Sequence, residues 1–329
     1  MAPLRNTRIC CISMVGKKYF NRGLYFLILF LLFPGTIHGE KHEPWIAVLL
    51  SDSEKAYEEP LRSFTDSVAM EVRVFNLQGD IRKDPGLKDR LFAEQPALIF
   101  ALGAKAAFVA KLWTQDRQEV PVLFAMVINW QKYGLLEGQN NMAGISSEVN
   151  PGNQFLNLSL FAPKIRRIGV IYSPTNSSEI VAQARKAVQM LGIQLVERPI
   201  EHRQDFRRTY RQLAPSIDGL WILNDPVTFT VDNMSWLENR CLADRLVCIG
   251  QSRNLAEMGL LLSVRPDVSN IGVQAASMAT NILKRSQSPA SIGVMEPLGT
   301  NLYVNSKTAQ RIGIELSDKV MSMATEVIN

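Results

Sequence analysis

Two stretches of the chain open in the same way, and that echo narrows the folds available to it more than any single residue does. Trp45–Leu50 is an unbroken apolar run ending in the polar pair Ser51 and Asp52. The pattern returns at Arg167–Tyr172, which runs into Ser173, Pro174, Thr175, Asn176, Ser177 and Ser178. Short apolar runs bounded by turn residues suit strands covered by helices on both faces, as in parallel sheets. Such sheets bind ligands outside the carboxyl ends of their strands. Two edges of this kind predict two α/β lobes facing one cleft.

The chain has 329 residues, 47% hydrophobic and 20% charged, enough for two domains with substantial cores. Residues 1–39 stand apart. Lys17, Lys18 and Arg22 precede the apolar run Leu24–Phe33, and Pro34 to Gly39 make a helix-breaking exit. This is the pattern of a secretory signal peptide, and the run is short for a membrane span. An uncleaved anchor stays open, because Ile37 rather than a small residue stands third before a cut after Gly39. A start at Met14 would give a more usual leader length than Met1.

Cys10 and Cys11 precede the apolar run, so they do not provide a lipid attachment site. Cys241 and Cys248 remain, either as a disulfide closing a helix-to-strand turn or as two buried thiols. The net charge of +5 owes much to Arg5, Arg8, Lys17, Lys18 and Arg22, with no acid before Glu40. The rest is near neutral, which argues against a nucleic-acid partner. His38, His42 and His202 show no ligand spacing, so no metal is expected.

Between the two openings, strand-like runs at 71–76, 97–102 and 120–127 alternate with helical stretches at 54–70, 85–94 and 103–113. The chain crosses out of the first lobe at 144–152. A second series comes after it, with strands from 168 and at 194–199, 219–223, 246–250 and 260–264. Its helices are expected at 153–160, from Ser177 or Ser178 to 192, at 205–213 and at 236–244. A small-residue helix at 269–284, able to pack closely on a sheet, precedes a strand at 302–305 and a helix capped by Ser306. This alternation predicts parallel sheets with right-handed crossovers.

The strand ends supply the candidate binding residues. In the first lobe they are Ser51, Asp52, Gly103, Ala104, Lys105 and Asn129, with Trp130 as either a stacking surface or a packed hinge residue. Backbone donors and the positive helix end at Gly103 suit a carboxylate, and Lys105 either adds charge or is simply solvated. In the second lobe they are Ser173, Thr175, Asn176, Ser177, Ser178, Asn224, Asp225 and Gln251, with Ser252 beside the last. Hydroxyls there either meet ligand oxygens or cap a helix. Asp225 either pairs with a ligand ammonium or sets an Asp-Pro turn. No nucleophile elbow, phosphate loop or dinucleotide fingerprint is present, so neither catalytic residues nor a cofactor are expected.

Taken in order, Ala101–Ala107, Val120–Asn129, Gly144–Ser146, Ala162–Pro174, Asp218–Asp225 and Tyr303–Ala309 resemble the periplasmic substrate-binding proteins of ABC transporters whose relatives handle tryptophan and other aromatic amino acids. The resemblance runs from about Ile46 to Ile314. It implies the type I periplasmic-binding fold: two doubly wound parallel-sheet α/β lobes joined by three crossings and closing as a hinge. Residues 40–149 and 266–288 would form one lobe, and 150–265 and 289–329 the other. It further implies a periplasmic monomer that presents a small molecule, such as an amino acid or other carboxylate, to an ABC permease. The alternative is a sensory or scaffold module reporting to a membrane receptor. Relatives often carry a hydroxyl after the glycine where this chain has Ala104 and Lys105, which leaves a member without a ligand open too.

Overall fold

The computed structural model describes residues 43–329, so the expected signal peptide and the choice between Met1 and Met14 fall outside the described residues. The first series comprises β1 (Trp45–Leu50), α1 (Glu58–Ser67), β2 (Glu71–Asn76), α2 (Leu87–Ala93), β3 (Leu98–Leu102), α3 (Ala104–Trp113), β4 (Val122–Val127) and β5 (Met142–Ser146). The second comprises α4 (Pro151–Phe161), β6 (Arg167–Tyr172), α5 (Pro174–Met190), β7 (Gln194–Pro199), α6 (Phe206–Leu213), β8 (Gly219–Trp221), α7 (Val231–Ala243), β9 (Val247–Gly250), α8 (Arg253–Glu257) and β10 (Leu262–Pro266). The chain closes with α9 (Val268–Arg285), α10 (Pro289–Ile292), β11 (Val294–Met295), β12 (Thr300–Asn305), α11 (Ser306–Ile312), α12 (Asp318–Met321) and β13 (Glu326–Ile328).

Two sheets result, with strand orders β11-β5-β4-β3-β1-β2 and β13-β12-β10-β9-β8-β6-β7. The echo in sequence is therefore an echo in topology: each series places its first strand between its second and third, the flavodoxin-like order. All pairs in the first sheet are parallel. In the second, β12 runs antiparallel to β10 and parallel to β13. Burial on both faces explains the unbroken apolar run of β1. Ala47 and Leu49 pack with α3, while Ile46 and Val48 pack with Phe64 of α1 and Ile271 of α9.

Several boundaries differ from the sequence reading. α5 begins at Pro174, with Ser173 rather than Ser177 or Ser178 at its N-cap, because proline is preorganised for the first helical position. β5 is a strand where only a crossing was expected. β11 pairs Val294 with Gly144 and Met295 with Ile145, so residues 294–295 belong to the first sheet and not to the second lobe. The chain thus passes between the sheets after β5, between β10 and α9, and between β11 and β12. α9 packs on α1 as well as on the sheet, with Gly272 against Pro60 and Phe64.

Cys241 and Cys248 form a disulfide with an S–S distance of 2.08 Å, tying α7 to β9. Both are buried in a core cluster of the second lobe. Cross-linking stabilises chiefly by restricting the unfolded chain, and a ring this small is worth about 2.5 kcal/mol. Replacing both cysteines by serine is expected to cost roughly that amount in urea unfolding. A loss below about 0.5 kcal/mol would show that the ring constrains little.

Candidate functional site

A local irregularity in β4 builds the first wall of the site. Its register against β5 shifts between Phe124 and Val127, Met126 takes a φ of 59° and Asn129 a φ of 51°. A bulge of this kind bends the strand and re-aims the residues after it. Here it turns the chain into a 3-10 segment, Trp130–Tyr133. Trp130 rests on Phe124, with ring centroids 6.3 Å apart. Phe124 in turn lies against Gly144, where a Cβ would fall 2.4 Å from its ring. Gly144 is therefore the residue that lets this aromatic pair settle.

The backbone N–H of Asn129 donates to the Glu148 carboxylate at 3.1 Å. Glu148 lies on the crossing after β5 and Glu296 on the crossing after β11. With the first turns of α5 they enclose a cavity of about 410 Å³. Its walls include Trp130, Lys132, Thr175, Asn176, Ser178 and Glu179. Two contacts bridge the sheets at its mouth: Lys132 Nζ donates to Asn176 Oδ1 at 2.6 Å, and Gln131 Nε2 to Glu179 Oε1 at 3.5 Å.

Burial pushes the Glu148 carboxyl above the usual range, the Asn129 N–H opposes it, and the charges of Glu296 and Glu179 reinforce it. Partial burial also raises Glu296, against a hydrogen bond from Asn150. A carboxyl raised in the fold adds stability that is complete below its unfolded value, near 4.5 for glutamate, and is lost as pH rises through the folded value. Glu148→Gln is accordingly expected to unfold at a higher temperature than the parent at neutral pH, with the gap closing toward about pH 4.5. A gap independent of pH, read by calorimetry, would contradict this account of Glu148.

Of the residues expected from sequence, Asn129, Thr175, Asn176 and Ser178 meet at this cavity with Trp130. The others are employed elsewhere. Lys105 donates to the Gly79 carbonyl at 3.0 Å. Ser51 is buried and accepts the Ala106 N–H at 3.0 Å, so that donor of the first turn of α3 is taken by the protein. Gly103 has a φ of 92°, and a Cβ there would lie 2.3 Å from Tyr57 Oη and 2.5 Å from Ser51 Oγ. Ala104 packs against the neighbouring core, and Asp52 accepts the Glu54 N–H in a turn. The carboxylate cradle expected at 103–105 is thus occupied by side chains of the protein itself.

Asp225 is wholly buried and accepts from the Ser173 N–H at 2.8 Å, the Ser177 hydroxyl at 2.6 Å and the Val227 N–H at 2.8 Å. It is an internal pin between β8 and α5 and is not free to meet a ligand ammonium. Asn224 lies 3.5 Å from buried Gln251, and Ser252 caps α8; none of the three lines the cavity. Gln131, Lys132, Glu148, Glu179 and Glu296 also line the cavity, though no sequence pattern singles them out. Glu148 lies inside the crossing expected at 144–152, whereas nothing marks Glu296, which stands just after a strand of two residues.

Among the described residues, no group of three or more His, Cys, Asp or Glu side chains is placed to hold a metal ion. No curated protein matches the chain. Among solved structures, a ligand-free, open substrate-binding protein with adhesive properties from Clostridium difficile is similar at a TM-score of 0.69 and 21% identity, over 84% of this chain and 96% of the other. An ABC domain from Streptococcus pneumonia in complex with L-Trp is similar at 0.59 and 21% identity, over 86% and 100%. A conserved domain protein from Vibrio cholerae reaches 0.59 at 19% identity, over 87% and 100%. These likenesses establish the fold, that of the type I periplasmic-binding proteins. The family described as ABC transporter substrate binding protein matches residues 65–328, which take in strands of both sheets and all three crossings, and the chain belongs to that family of solute-binding proteins.

Proposed function

We propose that the chain is the exported, monomeric solute-binding component of an ABC-type importer, holding a small organic molecule between its lobes for delivery to a membrane permease. The observation that carries this reading is the cavity of about 410 Å³ between the two sheets, walled by polar side chains, one tryptophan and several aliphatic and proline residues. Its size falls within the range of small-molecule sites, and its position beside the crossings suits closure by hinge motion. The L-Trp held by the pneumococcal relative supports a ligand of comparable size. Asn129, Trp130, Thr175, Asn176, Ser178 and Glu148 form the contact set.

Thermal-shift measurements of the purified protein against amino acids, nucleosides, amines and organic acids test this reading. A ligand present at about a hundred times its Kd adds roughly 2.7 kcal/mol to the native state. At least one compound is expected to raise the midpoint, or mass spectrometry to find a small molecule released from the purified protein. If neither happens, capture of a solute is the wrong reading. Cleavage after Gly39 would show as an exported form whose N-terminus is Glu40.

A further inference from the structure

The charge of the cavity points to a class of ligand, given that the cavity is where the solute is held. Its walls carry Glu148, Glu179 and Glu296 against a single cation, Lys132. Lys132 is already engaged, donating to Asn176 at 2.6 Å on the rim. Among the described residues, none of the three glutamates takes part in an ion pair. Glu148 is the most enclosed, on the crossing segment after β5, with the Asn129 N–H donating to it at 3.1 Å. An enclosed carboxylate without a positive partner is unfavourable unless something supplies the missing charge.

Trp130 is the second, independent feature. Arginine side chains lie over Trp45, Phe92 and Trp236, while among the described residues no protein cation covers Trp130. Its ring lines the same cavity and is held in place by Phe124, packed over Gly144. A fixed aromatic wall beside carboxylates is the arrangement that recognises organic ammonium groups. A metal ion is a poorer match, because the glutamates are not gathered into a metal-ligating group among the described residues.

We infer that the cavity selects an organic cation, its ammonium group set between the Glu148 carboxylate and the Trp130 ring, with Glu179 and Glu296 adding negative potential. Zwitterions bind more weakly and anions are excluded. This departs from the carboxylate ligand expected from the α3 turn, where the Ala106 N–H and the Lys105 ammonium are already engaged within the protein.

The test is isothermal titration of the purified protein with tryptamine, L-tryptophan and indole-3-propionate, which share a ring and differ in charge. Choline and its neutral isostere 3,3-dimethyl-1-butanol form a second set, and any molecule released from the protein is identified by mass spectrometry. The cation of a set, or a released cation, is expected to bind at least about tenfold tighter than its neutral or anionic counterpart. Glu148→Gln should weaken it by about tenfold or more, and Trp130→Leu and Glu296→Gln by several-fold. The glutamine variants should melt cooperatively at or above the parent midpoint, so a lost affinity is not a lost fold. Equal or tighter binding of the neutral or anionic compounds, or an affinity unmoved by Glu148→Gln, overturns the cation inference and leaves solute capture standing. No binding of any compound, with nothing released, overturns both.

Discussion

Asp225→Ala is expected to destabilise the protein by about 4 kcal/mol, the largest effect of any single polar substitution in the second lobe. The side chain is wholly buried, and it holds donors from two separate places. Ser173 N–H and the Ser177 hydroxyl come from the start of α5, while the N–H groups of Val227 and Thr228 come from the turn after β8. Alanine would leave these donors in the interior with no acceptor. Charge-assisted bonds contribute roughly 1.5–3 kcal/mol each, but donors sharing one carboxylate are not additive. Asn keeps one accepting oxygen and should cost about half as much. Urea unfolding of both variants measures the difference; an alanine variant within about 1 kcal/mol of the parent would show that water replaces the carboxylate easily. Because Thr175, Asn176 and Ser178 stand on the same turn, variants that remain folded should also bind any cavity ligand less tightly.

Gly272→Val is expected to cost about 3 kcal/mol for a different reason. A glycine inside a helix is ordinarily unfavourable by about 1 kcal/mol relative to alanine, so in open space even alanine would stabilise. Here a Cβ would lie 2.1 Å from Ser63 Oγ, 2.3 Å from the Pro60 carbonyl oxygen and 2.7 Å from the Phe64 nitrogen. Two of those atoms are backbone, so α1 and α9 must separate. Phe64, buried with its ring 4.4 Å from that of Phe100, would lose its packing as they do. Removing only the hydroxyl, by Ser63→Ala in the Gly272→Val background, should not restore the parent midpoint. Full recovery would mean that the side chain alone made the contact tight.

Much of the architecture was legible because buried parallel strands leave a strong trace. The runs at Trp45–Leu50 and Arg167–Tyr172 have helices on both faces and so show no alternation to confuse them. β2 and β7 appeared with their observed boundaries. β11 was not legible, since two residues carry no period, and its pairing with β5 depends on α9 having first brought the chain back. The site was only partly legible for a related reason. Serine at a strand end has the same chemistry whether it caps a helix, answers a buried aspartate or faces a ligand. Ser173 and Ser177 serve the interior while Thr175 and Ser178 face the cavity, a division set by the helical turn beginning at Pro174. Lys105 likewise reads as free charge until the Gly79 carbonyl is found within its reach.

Glu148 and Glu296 stand on two of the three segments that carry the chain between the sheets. Were the lobes to move about those segments, the groups assigned above to hold the proposed solute would be mounted on the axle itself. Neutralising them would alter the bending preference of the same few residues that must bend. Occupancy and posture would then be a single local event, with no relay of side chains needed to link a distant pocket to the surface that a membrane partner reads.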